Sequence, residues 1–435
     1  MTRVALVYPY FRTRSATELL FPPLGAAGLA GHLHALGIET KIFDCTFETF
    51  EGIQNEIRSF QPEIVGIYSM VTLSRNTFRF AEMVRTYLPD SLLVAGGPLP
   101  TLYPEQYGET FDVVFRGEVD LAFPCFCNDY FDLKISRKRL DELPLESYAG
   151  LFIHRDGLQI ENPTIHYQEK ELDSFPLPYR GDFNHAAYQD VWTQQSCLKT
   201  TSIILTLGCP FNCDFCSRPI FGSLLRRRNL DFVFEEIEQI RQLNYDSLWI
   251  ADDNFTLDLD YLERFCGRMT GKKMQWSCLS RVTRINKEIT GMMKAAGCRR
   301  VYLGLETGNP DTLRLMKKQA NLEEGQNAVH LFRKAGIEVA AFFIVGYPGE
   351  TIPAIEDTFR FALELPLDEI SFNIPFPLPG SQLFQRISKV DTTKDWDEEN
   401  EVTFVYKTEF DTHWLQRRII ETMQTFADKK KGTAD

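Results

Sequence analysis

The sequence predicts an α/β protein built from two successive sheets, and three observations carry that prediction. Residues 1–120 alternate short apolar runs with stretches whose apolar residues recur at three- and four-residue spacing. The same alternation stops near residue 128, where prolines appear at 144, 163, 176 and 178, and it resumes at residue 202. The 435 residues are 44% hydrophobic and 25% charged, enough apolar material for more than one core. The expected organisation is an N-terminal doubly wound (Rossmann-like, flavodoxin-type) parallel sheet over 1–127 and an irregular linker over 128–195. A partial (β/α)6 TIM-like barrel follows over 196–385, then a small helical segment capping the substrate side over 386–435.

In the first half, strands are expected at 3–8, 40–44, 64–68, 92–95 and 113–116, with helices at 24–36, 50–60 and 77–88. Strands alternating with helices make a parallel sheet whose ligand loops lie at the carboxyl ends of the strands. Those loops carry Pro9, Ser69, Met70, Val71, Thr72, Gly96, Gly97, Pro98, Gly117 and Glu118. In the second half, strands at 202–207, 247–251, 275–279, 301–306, 339–345 and 369–374 alternate with helices at 231–243, 259–269, 287–296, 322–335 and 352–365. Six such units predict a barrel with its site at the strands' carboxyl ends. A final amphipathic helix, with Leu415, Ile419, Met423 and Phe426 on one face, is expected to pack on the barrel.

Charge and cysteine usage narrow the class further. Sixty acidic against 47 basic residues leave a net charge of -13, which argues against a protein that grips a nucleic-acid backbone. No apolar run is long enough to cross a membrane, and the N-terminus reads as a strand rather than a leader. Ten cysteines in such a chain are expected to be thiols, some of them metal ligands, in a cytoplasmic protein.

The sharpest signal is the run from Leu207 to Cys216, in which Cys209, Cys213 and Cys216 directly follow the first strand of the second half. A loop there can turn three sulfurs toward one point, as an iron–sulfur cluster requires. Three core thiols or a structural zinc are the other readings; zinc wants a fourth ligand, and no further Cys or His lies nearby. Three ligands on a four-iron cluster leave one iron open to a substrate or cofactor.

This loop after the first barrel strand resembles the radical S-adenosylmethionine (SAM) superfamily, and further segments match in strand order. Phe215 resembles the apolar position that packs on adenine, and Asp252 and Asp253 the segment near the SAM amino group. Ser280 and Arg281 are similar to a SAM carboxylate contact. Glu306, in Gly304–Gly308, resembles the carboxylate near the ribose and amino-acid end, and Gly346 the adenine-side backbone contact. The first half has neither G-x-G-x-x-G nor a P-loop motif. It resembles the cobalamin-binding domain fused to one radical SAM branch: Leu24 and Gly25 open the first helix, Asp44 ends the second strand, and Gly96, Gly97, Pro98 and Thr101 follow the fourth. Gly117-Glu118-Val119-Asp120 departs from that family's usual Gly-Glu-Gly-Glu, and Asp-x-His-x-x-Gly is missing from the first loop.

The resemblance implies a [4Fe-4S] cluster, SAM and cobalamin (as methylcobalamin) as cofactors, with no histidine of the chain on cobalt. It further implies that Met70, Val71, Thr72 and Leu73 form an upper wall around the cobalt. The implied activity is a cobalamin-dependent radical SAM methyltransferase acting on an unactivated carbon or phosphorus centre of a small-molecule or biosynthetic intermediate. A flavodoxin- or ferredoxin-like protein would supply electrons, with no nucleic-acid and no membrane partner. A non-methylating member performing cyclisation, ring contraction or oxidation is the alternative within the family. Outside it stand a corrin-binding sensor or partner protein and a tRNA-modifying enzyme.

Overall fold

The computed structural model describes residues 2–12, 19–155, 157–216, 222–378, 380–387 and 408–431. They form two compact units, Met1–Ser202 with Arg227–Tyr245, and Ile203–Arg226 with Asp246–Asp435.

In the first unit, strands β1 (Arg3–Tyr8), β2 (Glu39–Asp44), β3 (Ile64–Tyr68), β4 (Leu92–Gly96) and β5 (Val113–Phe115) pair in the order β2-β1-β3-β4-β5. All four of these pairings are parallel. That is the flavodoxin-type order, in which β1 and β3 flank the point where the winding reverses and a ligand crevice opens. The period-2 alternation of a strand explains why β1 is buried on both faces. Val4 and Leu6 join one core with Ala27, Leu33 and Ile64, while Ala5 and Val7 join the other with Val65, Ile67 and Phe80.

The sheet does not end there. Strands β6 (Leu151–Arg155) and β7 (Leu158–Glu161) extend it antiparallel, setting Val114 against Phe152 and Ile153 against Ile160. The stretch expected to be an irregular linker therefore supplies two further strands, the second of them the sheet's edge, because Leu151, Phe152 and Ile153 bury against the same cores. A helix over His185–Ser196 follows, capped by the Asn184 side chain, which accepts from Ala187 N–H. The helix Leu230–Gln242 belongs to this unit through Glu236, fully buried and bound at 2.8 Å by Arg180 on one oxygen and by Arg228 on the other.

The second unit opens at Ile203, the last residue of β8 (Thr200–Ile203), and continues through β9 (Thr206–Leu207), which forms a two-stranded ribbon with β10 (Arg226–Arg227), to β11 (Ser247–Ile250), β12 (Gln275–Ser280), β13 (Cys298–Glu306), β14 (Glu338–Ile344) and β15 (Glu369–Asn373). Its main sheet runs β8-β11-β12-β13-β14-β15, each strand beside the previous one in the sheet, with the neighbours from β11 to β15 parallel. This is the open, sequential sheet of a partial barrel. The intervening helices start on the caps their sequences provide: Asp258 accepts from Tyr261 N–H, and Asn321 with Glu324 forms a capping box.

The last helix, Thr412–Lys431, packs on the barrel helix Ile352–Glu364, with Leu415 against Ile355 and Phe359 and with Arg418 binding both Glu356 oxygens at 2.7 Å. Its buried stripe is Leu415, Thr422 and Phe426, with Ile419 partly buried beside them; Met423, expected on that face, is 40% exposed. The 3.6-residue period selects 422 rather than 423 between 419 and 426. Residues 388–407 and 432–435 of the expected 386–435 segment lie outside the described residues. Among the described residues no helix is long and apolar enough to cross a membrane.

Candidate cofactor sites in the two units

In the second unit, Gly208 at φ +82 turns the chain out of β9 into the cysteine loop, a conformation that favours glycine. Cys209, Cys213 and Cys216 are all partly exposed, whereas Cys45, Cys127, Cys266, Cys278 and Cys298 are buried. The loop is fastened at Asp214, between the second cysteine and Phe215. Its N–H donates to Met316 O (3.1 Å), its C=O accepts from Leu383 N–H (2.8 Å), and its carboxylate takes the Tyr347 hydroxyl on one oxygen and Arg386 (2.7 Å) on the other. Among the described residues no three His, Cys, Asp or Glu side chains converge on one point as a single metal ion would need. A four-iron cluster needs less, because each thiolate binds a different iron.

Phe215 packs into an apolar group with Met316, Ile344, Tyr347 and Leu383, its ring edge-on to Tyr347 at 6.5 Å. Arg281 reaches the cysteine loop directly. Its Nη1 donates to Cys213 Sγ at 3.4 Å, its guanidinium carbon lies 3.7 Å from the centre of the Phe211 ring, and its Nη2 donates to Lys318 O. Lys318 in turn pairs with Glu306, both buried. Glu306 sits at φ +65 beside a register shift between β13 and β14, and a Cβ on Gly304 would lie 2.4 Å from its carboxylate. Cys213, Phe211, Arg281, Lys318 and Glu306 thus form one connected set.

Two expected SAM contacts turn inward instead. Asp252 is 1% exposed and spends both oxygens on the strand leading to the cysteines: Leu205 N–H (2.7 Å) on one, Thr206 N–H (2.8 Å) and hydroxyl (2.7 Å) on the other. Burial pushes its pKa up to about 7. Ser280 is buried against the Thr256 hydroxyl at 2.6 Å and donates to Arg281 O. Asp253, one residue on from Asp252, is exposed, though its crowded position still raises its pKa by desolvation. Gly346 takes φ +79, and its N–H, like that of Tyr347, donates to the buried Glu350, whose pKa burial lifts to about 7. Asp214, Lys318, Phe211 and Glu350 are functional candidates that the sequence reading missed. Phe211 and Asp214 had a signal there, their place inside the cysteine run.

In the first unit, the β1 and β3 ends carry Tyr8 and Tyr68, with ring centres 5.6 Å apart, and Pro9, whose C=O accepts from Asn76 at 3.2 Å. Gly97 has φ +114 and packs so closely that a Cβ would stand 2.5 Å from Ser69 O. The Thr101 hydroxyl donates to Gly97 O (2.8 Å) and accepts from Gly117 N–H (2.9 Å), joining the loops after β4 and β5. Pro98 opens the short helix Pro98–Leu102. Leu24 and Gly25 open the helix Leu24–Ala35, and Gly25 has nothing within 4 Å of where its Cβ would be. Met70 and Val71 are partly exposed and Thr72 is exposed.

Four expected corrin contacts are committed elsewhere. Asp44 accepts from the Thr46 hydroxyl (2.6 Å) and the Tyr188 hydroxyl (2.7 Å), with burial raising its pKa. Ser69 is fully buried on the Tyr107 hydroxyl at 2.6 Å, and Leu73 is 3% exposed. Glu118 is 8% exposed, held by Tyr167 N–H and His166 Nδ1 at 3.0 Å each. Polar side chains at strand ends close the loops they sit in, and the exposed cradle is left to glycines, Met70, Val71 and Thr72. Such a cradle, open at Gly25 and built on closely packed backbone at Gly97, fits a large flat ligand. Three partly exposed thiols, soft donors with a cationic N–H on one sulfur, fit an iron–sulfur cluster.

Comparison with known proteins agrees with both halves. The family model for the radical SAM superfamily matches residues 203–362, and that for the B12 binding domain matches residues 14–126. An uncharacterized methyltransferase of Pyrococcus horikoshii is 29% identical, over 84% of this chain and 78% of that protein. The anaerobic magnesium-protoporphyrin IX monomethyl ester cyclase of Cereibacter sphaeroides is 26% identical, over 93% of this chain and 67% of that protein. Among solved structures, the radical SAM methyltransferase TsrM of Kitasatospora setae, with cobalamin and a [4Fe-4S] cluster bound, superposes with a TM-score of 0.71 at 17% identity, covering 88% of this chain and 77% of the other.

Residues 203–362 are thus a radical SAM domain, and residues 14–126 a B12-binding domain ahead of it. The chain is an enzyme, and the cofactors of these two families are a [4Fe-4S] cluster, SAM and cobalamin.

Proposed function

We propose that this protein is a cobalamin-dependent radical SAM methyltransferase, moving a methyl group from SAM to an unactivated carbon or phosphorus centre of a small molecule. The observation that carries the reading is the pairing, in one chain, of a fastened loop of three partly exposed cysteines with a flavodoxin-type sheet whose strand-end loops are built on glycines, packed closely at Gly97 and clear at Gly25. When bound, the cofactors supply the difficult chemistry: a radical from reductive SAM cleavage and a corrin that relays the methyl group.

The chain's own residues bind and orient. Cys209, Cys213 and Cys216 are the cluster ligands in this reading. Phe215 and the Gly346 turn supply the apolar slot for adenine, and Asp253 the negative charge for the SAM ammonium, since Lys318 already neutralises Glu306. Gly25, Gly96, Gly97, Pro98, Thr101, Gly117 and the Met70–Thr72 segment hold the corrin. A flavodoxin- or ferredoxin-like protein donates single electrons, and the setting is the cytoplasm, which suits a chain rich in free thiols.

The test is anaerobic incubation of the reconstituted protein with cobalamin, a reductant and SAM carrying a deuterated methyl group. S-adenosylhomocysteine should form only when the corrin is present, and a small molecule from a cell extract should gain the labelled methyl. The likeness to a cyclase favours a second reading, a non-methylating enzyme. Formation of 5′-deoxyadenosine with no labelled methyl in any acceptor would establish it instead.

A further inference from the structure

We infer that Arg281 acts on the cluster rather than on SAM: its guanidinium bonds the Cys213 sulfur and sets the reduction potential of the cluster that this loop holds. The inference rests on the reading of Cys209, Cys213 and Cys216 as cluster ligands.

Arg281 is 7% exposed, and of its guanidinium nitrogens Nη1 and Nη2 are hydrogen-bonded while the buried Nε has no partner among the described residues. Its backbone N–H donates to Asn254 Oδ1 at 3.2 Å, which fixes the end of β12. Nη2 donates to Lys318 O and, at 3.4 Å, to Gln319 O, so the plane of the guanidinium is held from the side away from the cysteines. The Phe211 ring lies against its face at 3.7 Å, a cation–π contact with a residue between the first two cysteines. With the plane fixed on three sides, Nη1 points at Cys213 Sγ at 3.4 Å.

A planar, permanently charged fork held in this way is a preorganised donor to sulfur, and lysine could not reproduce it. Hydrogen bonds to the ligating sulfurs are among the factors that set an iron–sulfur potential. Reduction of the cluster adds one electron, from a one-electron donor, and no proton. The added negative charge spreads over the sulfurs, so a cation on Cys213 Sγ stabilises the reduced form more than the oxidised one. Arg281 therefore makes the cluster easier to reduce. The Glu306–Lys318 pair, one residue away through Lys318 O, is charge-neutral and leaves the guanidinium as the net cation at this sulfur.

The experiment is a redox titration with dithionite and mediators, followed by the electron paramagnetic resonance signal of the reduced cluster, on anaerobically reconstituted full-length protein. Arg281→Gln should lower the equilibrium constant for one-electron reduction about tenfold, which is about 59 mV for a single electron. Arg281→Lys should fall between Gln and wild type, because it keeps the charge and loses the fork. SAM affinity, measured by equilibrium binding, should change less than threefold in both variants. An unshifted potential in Arg281→Gln, or an unshifted potential in Arg281→Lys should the Gln variant lose its cluster, overturns the inference. So does a tenfold loss of SAM affinity at constant potential, which would return Arg281 to the SAM carboxylate. A wild-type protein that binds no cluster is a different failure, that of the ligand assignment itself.

Discussion

Asp252 and Asp253 are adjacent carboxylates at the end of one strand, and the fold gives them opposite work. Asp252 accepts three hydrogen bonds from Leu205 and Thr206 and so anchors the segment that leads to the cysteines, while Asp253 is left in the open. Burial is the largest influence on Asp252, lifting its pKa from 3.8 to about 7 against the pull of those bonds. An acid whose pKa is higher folded than unfolded favours folding most below its unfolded pKa, and that contribution disappears as the pH rises through its folded value. Asp252→Asn, which cannot titrate and leaves one donor unmatched, should cost about 1–3 kcal/mol. Its deficit relative to wild type should shrink between pH 4 and pH 7. Urea midpoints of the cluster-free chain at pH 4.5 and 7.5 measure this, and a deficit that does not depend on pH would show that Asp252 keeps its charge throughout.

At the scale of elements, the loops after the parallel strands combine two kinds of glycine, and the structure separates them. Gly97 is a backbone requirement, with φ +114 and a Cβ position 2.5 Å from Ser69 O. Gly97→Ala should destabilise the protein by about 1–3 kcal/mol, read as a lower urea midpoint without cofactor. Gly25 is a clearance, with open space where a side chain would go. Gly25→Trp should leave the same midpoint within about 0.5 kcal/mol of wild type and reduce cobalamin retained on gel filtration at least tenfold. Equal cobalamin retention in the two proteins would take Gly25 out of the corrin cradle.

These elements also show what the sequence makes legible. The cysteine loop could be read because its three thiols are local, and the strands of both sheets because their burial imposes a period. The β6–β7 hairpin could not, since its strands span only Leu151–Arg155 and Leu158–Glu161 and the second keeps Gln159 and Glu161 exposed. Lys318 carries no motif and meets Glu306 only because the chain returns to the end of β13. Which of Asp252 and Asp253 turns inward is set by where Thr206 lies, and that is a fact of the sheet rather than of the local sequence.

For the whole molecule, the two units divide the work, and each should be separable by a single substitution. The cysteine loop and its clasp at Asp214 lie entirely in the second unit, and the glycine cradle with the Met70–Thr72 segment lies entirely in the first. Among the four residues expected to wall the cobalt, Leu73 is buried, so substituting it would report on folding rather than on the corrin. Val71 is the better probe: it opens the short turn Val71–Leu73 after β3, at the switch point of the sheet, and is only partly buried. Its apolar side chain suits a surface that keeps water away from an open coordination position. Val71→Arg would place a hydrated charge there without touching a buried contact, and it should reduce cobalamin-dependent S-adenosylhomocysteine formation at least tenfold while 5′-deoxyadenosine forms at near wild-type rate. Cys213→Ala should do the reverse for the radical half, abolishing 5′-deoxyadenosine while the protein still retains cobalamin. The buried Cys266, Cys278 and Cys298 are packed in the core on other elements and do not stand in the exposed loop where a cluster would have to be reached. If Val71→Arg lowers both products equally, the turn after β3 is a folding element of the first unit and not a wall of its ligand site.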